Sequence, residues 1–343
     1  MPTILVTGGT GYIGSHTAVE LLEAGMNVVI LDNLENSKRE VIDGITEITG
    51  KEPYFEEVDM RDRAALFGVF EKYPEMKSVI HFAAYKAVGE SVEKPLAYYE
   101  NNLLSLIYLL EAMKQFQVPD IVFSSSCTVY GEPDRLPVTE EAPIKSANSP
   151  YGNTKQISEE ILRDVVRIDP GISVISLRYF NPIGAHPSAL IGEFPIGVPA
   201  NLVPFITQTV IGLRDILRVF GDDYNTPDGS AIRDYINVVD LARAHVVAIQ
   251  RLLENKQKSS FEVFNLGTGR GLSVFEIIRA FERATGEKVN YRVVSRREGD
   301  VEQVYADTCY ANEELGWIAE KGIDETLLSA WNWEKNLRKK RSS

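Results

Sequence analysis

Residues 3–33, TILVTGGTGYIGSHTAVELLEAGMNVVILDN, read as strand, glycine-rich turn, helix and second strand. TILVT (3–7) is a short apolar run with β-branched residues, HTAVELLEAG (16–25) has the apolar spacing of a helix ending at Gly25, and NVVILDN (27–33) is again a strand. Together they make a βαβ crossover. Gly8, Gly11 and Gly14 form a GxxGxxG turn, where the lack of side chains lets backbone N–H groups and a positive helix end approach a pyrophosphate. Such a match gains meaning from its place between strand and helix, with Asp32 closing the next strand. Asp32 stands eighteen residues beyond Gly14, where a carboxylate accepts hydrogen bonds from both adenosine ribose hydroxyls and repels a 2′-phosphate, so NAD is favoured over NADP. Asn33, Asn36 and Ser37 follow as polar loop residues within reach of that ribose.

The alternation continues outward. YFEEVD is a strand ending at Asp59, a helix runs from about 63 to 73, SVIHFAA is a strand, a long helix spans about 95 to 116, and DIVFSSS is another strand. This rhythm predicts an α/β fold of Rossmann type, a doubly wound parallel sheet whose ligands gather at the carboxyl ends of the strands. Asp59, Phe82, Ala83, Ala84, Lys86, Asn101 and Ser124 to Ser126 fall at those ends. After GISVISLRYFNPIGAH the rhythm loosens: ALIGEFPIGVPANLVPF reads as loop before a helix around 205–213, and the last third supplies a smaller, interwoven α/β portion that binds substrate. The division expected is a dinucleotide domain over 1–180 with a return segment at about 236–266, and a substrate domain over 181–343.

The net charge of −13, from 36 Lys+Arg against 49 Asp+Glu, argues against nucleic acid and anionic membrane as partners. Cys127 and Cys309 cannot build a disulfide framework, and no run of eighteen apolar residues occurs, so a cytoplasmic protein is expected. The basic tail at Arg338–Arg341 reads as the last turn of a helix or as a targeting patch. His16, His81, His186 and His245 are scattered without ligand spacing, so no metal site is expected.

SPYGNTK (149–155) carries the chemistry. Tyr151 and Lys155 stand four apart, on one face of a helix, where an ammonium beside a phenol favours the phenolate; on spacing alone the pair also fits a solvated face. With a strand ending in serines and a dinucleotide turn, the parts are those of hydride transfer between alcohol and ketone. A serine, Ser126 ahead of Ser124, holds the reacting oxygen, tyrosinate takes its proton, and lysine supports the tyrosine while touching the nicotinamide ribose.

The segments TGGTGYIGSHT, LDN, HFAAYKAVGESVEKP, FSSSCTVYG, SPYGNTK, LRYFNPIGAHPS, RDYINVVDLA, NLGTG and RREGD, in that order across the whole chain, resemble the UDP-hexose 4-epimerase branch of the extended short-chain dehydrogenase/reductase family. GxxGxxG with YxxxK marks only the superfamily; KAVGESV, YFNPIGAHPS and RDYI are the specific elements. The resemblance implies tightly held NAD, a 4-ketohexose intermediate and no net redox change. It implies Ser126, Tyr151 and Lys155 as catalytic. Cofactor contacts implied are Gly8, Gly11, Tyr12, Ile13, Gly14, Asp32, Asn33, Asn36, Ser37, Asp59, Met60, Phe82, Ala83, Ala84, Lys86, Asn101, Ser124, Tyr151, Lys155 and Tyr179. For the UDP-hexose it implies Lys86, Ser126, Tyr151, Tyr179, Phe180, Asn181, Asn201, Leu202, Val219, Phe220, Arg233, Tyr235, Arg297, Asp300 and Val304, with the two arginines on the diphosphate.

One departure stands out. Where members restricted to glucose and galactose resemble one another in a tyrosine of REGDxxxY, this chain has Val304, which implies room for an N-acetyl group. A 4,6-dehydratase needs an acidic pair just before VYG, and Cys127 and Thr128 occupy those places. A uronate-specific epimerase and a non-catalytic NAD sensor are further alternatives, the latter disfavoured by the retained Tyr151 and Lys155. The apolar surplus of NNLLSLIYLLEAM and ISEEILRDVV, with the resemblance, implies a homodimer through a four-helix bundle.

Overall fold

A computed structural model describes residues 1–297 and 301–342, with side chains as far as Lys339. Asp300 lies outside the described residues. The leading strands are β1 (Thr3–Thr7), β2 (Asn27–Asp32), β3 (Tyr54–Glu57), β4 (Met76–His81), β5 (Asp120–Ser126) and β6 (Ser173–Tyr179); later ones are β7 (Asn181–Ile183), β8 (Leu217–Phe220), β9 (Ile232–Asn237), β10 (Phe261–Leu266), β11 (Gly271–Ser273), β12 (Tyr291–Val294) and β13 (Gln303–Val304). The central sheet has seven parallel strands in the order β10-β6-β5-β4-β1-β2-β3, confirming the Rossmann-type reading. Strand order reverses between β1 and β4, which opens a crevice at their carboxyl ends.

Helices cover both faces: α1 (Tyr12–Glu23), α2 (Glu40–Thr49), α3 (Arg63–Lys72), α4 (Val88–Glu93), α5 (Pro95–Tyr99), α6 (Ser105–Phe116), α7 (Pro150–Ile168), α8 (Leu202–Val210), α9 (Val238–Leu253), α10 (Val274–Thr285) and α11 (Ile323–Ser342). Because the strands are covered twice, β1 reads TILVT with all five residues buried. Its Ile4 and Val6 join one apolar cluster with Leu21 and Leu22 of α1 and Leu241 of α9, whereas Leu5 joins the other with Phe70 of α3, Leu109 of α6 and Leu162 of α7. A third cluster holds Ile206 of α8, Phe281 of α10 and Leu327 and Trp331 of α11 beside the smaller sheets. The first of these orders β11-β9-β13, with β7 also on β9; the second pairs β12 with β8.

Several elements depart from the sequence reading, each for a local reason. β3 stops at Glu57, since Asp59 accepts from the Arg61 N–H at 2.8 Å and turns the chain toward α3. The helix expected over about 95–116 contains a widened turn at Glu100–Leu104, from which Asn102 reaches the Tyr85 backbone and Thr154. The helix expected around 205–213 starts at Leu202 and ends at Val210, before Gly212 at φ +82°. RDYINVVDLARAHVVAIQRLLE, read as a short strand and helix, is β9 and α9; the reading missed α2 and the remaining strands of the smaller sheets, β7, β8, β11, β12 and β13, which are two to four residues long and too short to show a period. Among the described residues no helix is long and apolar enough to cross a membrane.

The glycine turn is sterically required. Gly8 has φ +67°, and a Cβ on Gly14 would stand 2.3 Å from the Gly8 carbonyl oxygen and 2.9 Å from Gly9 Cα. Gly14→Ala should therefore lower the thermal midpoint by roughly 2–10 °C. Gly68→Ala, where a Cβ meets nothing within 4 Å in α3, should hold or raise it; differential scanning calorimetry of both variants checks the contrast.

Candidate active site

Helix α7 begins where Ser149 Oγ accepts from the Gly152 N–H at 3.1 Å, which fixes Tyr151 in the first turn and Lys155 one turn later. Beneath it β5 ends in Ser124, Ser125 and Ser126, and a short 3₁₀ turn, Cys127–Tyr130, carries the chain away. Ser126 Oγ accepts from the Thr128 N–H at 3.2 Å. Lys155 Nζ donates to the Ser124 carbonyl at 2.6 Å and lies 4.9 Å from the Phe123 ring centroid and 5.9 Å from that of Tyr151. The structure thus brings Ser124, Ser126, Tyr151 and Lys155 to one corner of the sheet.

The electrostatics correct a simple lysine-on-tyrosine reading. Burial pushes the Tyr151 hydroxyl up to about 12, against the opposing influence of Ser126. Burial also lowers Lys155 to about 7, with the Glu159 carboxylate pulling the other way. Desolvation disfavours both charged forms, and Lys155 points at a carbonyl rather than the phenol, so its ammonium does not bring Tyr151 down. A further positive charge beside the Tyr151 ring would. His81 is held neutral at about 3, by burial and then by Lys155; its Nδ1 lies 2.8 Å from Thr7 Oγ1.

The residues expected at a dinucleotide gather at the carboxyl ends of β1, β2 and β4, around the crevice between β1 and β4. Asp32, 8% exposed, accepts from the Thr10 N–H at 3.2 Å, the Leu34 N–H at 2.9 Å and Ser37 Oγ at 3.1 Å, which aims its carboxylate across the turn. A Cβ on Gly8 would sit 2.8 Å from the Ala83 nitrogen, so the turn and the β4 end approach to backbone contact, a cradle suited to a pyrophosphate. Asn36 is exposed beside Ser37, and Met60 is buried behind β1 and β2. Asp59 is clamped by Arg61, whose guanidinium holds its carboxyl down at about 2, and Asn33 Nδ2 donates to it at 3.4 Å. Near the end of β6, Tyr179 Oη pairs with His245 Nε2 at 2.7 Å, and the Phe82 ring lies 4.8 Å from that imidazole. Ile13 packs beside the core under α1, Ala84 follows Ala83, and Asn101 Nδ2 donates to Asn102 at 3.0 Å.

The residues that the sequence resemblance implies for a substrate form three groups. Glu193 accepts from Asn201 Nδ2 at 2.6 Å and lies 3.5 Å from Lys86 Nζ, which approaches the Tyr12 ring at 5.9 Å; Leu202 opens α8 beside Asn201. Asn181 pairs with Tyr235 between β7 and β9, and Val304 pairs with Arg233 between β13 and β9. Arg233 Nη1 donates to the Ile232 carbonyl at 2.8 Å. Val304, 8% exposed, packs with Phe180, Val129 and Tyr130. Arg297 stacks 4.6 Å from the Phe220 ring at the end of β8, next to Val219.

Two buried polar groups near the site have no counterpart in the sequence reading. Glu159 and Arg178 form a buried pair at 2.6 Å under Lys155. The signal was available, because Glu159 continues the Tyr151, Lys155 spacing by one more turn. Asp234 binds the Thr268 N–H at 2.8 Å and the Ala306 N–H at 3.2 Å, tying the 304–306 segment to β9; no periodic signal announces it. Among the described residues no group of three or more His, Cys, Asp or Glu is arranged to hold a metal ion.

A doubly wound parallel sheet with a glycine turn at β1 and a Tyr-x-x-x-Lys helix beside a serine-ended strand defines an extended short-chain dehydrogenase/reductase. The chain matches the GDP-mannose 4,6 dehydratase family model over residues 5–329. The UDP-glucose 4-epimerase of Mus musculus is 50% identical over 341 residues, covering 98% of this chain and 97% of that protein. The crystal structure of UDP-glucose 4-epimerase from Bifidobacterium longum in complex with NAD+ and UDP superposes with a TM-score of 0.93 at 48% identity, covering 97% of this chain and 98% of that one. The Stenotrophomonas maltophila enzyme, with bound NAD and formylated UDP-arabinopyranose, reaches 0.95 at 45% identity, with complete coverage of both chains. This chain belongs to the UDP-glucose 4-epimerase family.

The Lys155 environment makes a stability prediction. Its native pKa is lowered to about 7, whereas the unfolded side chain stays protonated to about 10.4. Between those values the unfolded state binds more protons, so this residue makes stability rise with pH. Lys155→Met should flatten the rise in unfolding free energy between pH 7 and pH 10 relative to the wild type, as read from urea titrations at each pH.

Proposed function

We propose that this protein interconverts UDP-galactose and UDP-glucose at C4 with NAD held across the carboxyl edge of the central sheet. The observation that carries the reading is the convergence of Ser124, Ser126, Tyr151 and Lys155 at one sheet corner beside the glycine turn and Asp32. Gly8, Gly11 and Gly14 admit the pyrophosphate, and Asp32 with Ser37 receives the adenosine ribose. NAD, if bound there, would supply the acceptor and donor of the C4 hydride. Ser126 Oγ donates to the C4 oxygen; Tyr151, acting as the phenolate, takes the C4 hydroxyl proton during oxidation and, as the phenol, returns it during reduction. Lys155, anchored on the Ser124 carbonyl, keeps a cation behind the phenol. Arg233 and Arg297 grip the diphosphate while the 4-ketohexose turns about its bond to it, so that Tyr151 serves both faces.

Dehydration is disfavoured although the family model carries a dehydratase description. Elimination of water needs a carboxylic acid before VYG, whereas Cys127 is a partly buried thiol pushed up to about 12 by desolvation and Thr128 cannot act as an acid. The residue at 304 supports a broader substrate range: a valine clustered with Phe180 is smaller than the tyrosine of the restricted members, so the UDP-N-acetylhexosamines are additional substrates. A homodimer through α6 and α7 accords with the half-exposed row Leu103, Ile107, Ile157, Ile161 and Val165, and with Leu96, 81% exposed at the start of α5.

Pure protein given UDP-galactose without added NAD should produce UDP-glucose, and Tyr151→Phe should lower kcat by about 10²–10⁴-fold; coupled assay of UDP-glucose checks both, and undiminished turnover in the variant would remove Tyr151 from the mechanism. Val304→Tyr should lose turnover of UDP-N-acetylgalactosamine while retaining that of UDP-galactose. A wild type inert toward the N-acetyl pair in the same steady-state assay would sink the wider range.

A further inference from the structure

The three serines that end β5 divide by strand alternation. Ser124 and Ser126 lean toward the crevice, and Ser125 points to the opposite face, under α7. There its Oγ donates to Glu159 Oε1 at 2.7 Å. Glu159 is 2% exposed and receives Arg178 Nε at 2.9 Å and Nη2 at 2.6 Å, with Arg163 Nη2 at 3.3 Å. Ser176 Oγ, on β6 and one pleat deeper than Arg178, donates to the same Oε1 at 3.0 Å. Arg178 Nη1 continues the network by donating to Tyr130 Oη at 2.9 Å; that hydroxyl donates to Asn265 Oδ1 at 2.7 Å, and Asn265 Nδ2 to the Val138 carbonyl at 2.9 Å.

The backbone between Ser124 and Ser126 does two jobs at once. The Ser124 carbonyl receives Lys155 Nζ, and the next peptide sets the direction of Ser126 Oγ. Ser125 is the residue between them, and its side chain is tied to a carboxylate on the same helix as Tyr151 and Lys155. The geometry points to Glu159 as a positioning residue for the epimerase reaction: acting through Ser125, it fixes the distance between the strand end carrying Ser126 and the helix carrying Tyr151 and Lys155. This rests on the reading given under Proposed function. Glu159 touches neither substrate nor cofactor in this assignment. Its effect is geometric, and displacements of about 1 Å at reacting groups cost up to roughly a hundredfold in rate.

The structure supplies its own control. Ser125 and Ser176 are equally buried, at 1% and 0% exposure, and each gives one hydroxyl hydrogen bond to the same carboxylate oxygen. Only Ser125 adjoins the site. Glu159→Gln would leave the Arg178 guanidinium buried without a countercharge and endanger folding, so the serines are the better probes. Ser125→Ala and Ser176→Ala, purified with their cofactor, are compared with the wild type in NAD content, thermal midpoint, UDP-galactose kinetics and amide hydrogen exchange. The expected result is similar NAD content and a similar small loss of thermal midpoint in both variants. Ser125→Ala alone should lose kcat by roughly tenfold or more with KM within about twofold, and exchange faster over residues 126–130. Retention of kcat and exchange in Ser125→Ala, or equal losses in both variants, would overturn the assignment. If the wild type itself fails to convert UDP-galactose, the epimerase reading falls, and the exchange comparison decides the positioning role alone: faster exchange confined to Ser125→Ala upholds it, equal exchange rejects it.

Discussion

A carboxylate cut off from water must be surrounded by donors, and Glu159 meets that demand with Ser125, Ser176, Arg178 Nε and Nη2, and Arg163. The donors come from β5, β6 and α7, so satisfying one charge locks together the three elements that frame the chemistry. Burial by itself raises the Glu159 pKa, but the Arg178 guanidinium outweighs it and holds the carboxyl below its ordinary range. The same charge steadies the Lys155 ammonium one helical turn away. Through Tyr130 and Asn265 the network reaches Val138, whose N–H and carbonyl bond Tyr305 and Asp307 on either side of Ala306. The segment that places Val304 and the strand that places Ser126 therefore rest on one buried polar framework.

Desolvation sets the character of the site more than pairwise charge does. Tyr151, Lys155 and His81 all move toward their neutral forms, and in each case burial is the leading cause. Such a corner is poised to respond to any charge placed within it, because little water remains to screen that charge. The exposed margin behaves differently. Arg61 with Asp59, or Lys86 with Glu193, are partly solvated pairs that orient loops and contribute little to stability.

Much of this was legible in the chain. The parallel sheet follows from apolar runs alternating with helical periods, and the dinucleotide turn from three glycines set between β1 and α1. The catalytic corner follows from a four-residue spacing joined to a strand of serines. What stayed hidden depends on contacts between distant segments. The widened turn at Glu100–Leu104 exists because Asn102 bonds across to Thr154, and the 304–306 segment is held by Asp234. Neither leaves a period in the sequence. The electrostatic reading of Tyr151 and Lys155 failed for a related reason: spacing shows that two groups share a helix face, but not how deeply tertiary packing buries them.

The place of β10 at the rim of the central sheet bears on how the chain is made. β6 is finished at Tyr179, yet its outer edge finds its partner only when Phe261–Leu266 has emerged. At ordinary ribosomal speeds that interval is on the order of ten seconds. For that time the nascent sheet presents an unsatisfied row of N–H and C=O groups, an invitation to pair with a neighbouring nascent chain. Ser173–Tyr179 is buried along nearly its whole length in the finished molecule, so the strand that serves the site is also the one most in need of shelter while the protein is being born.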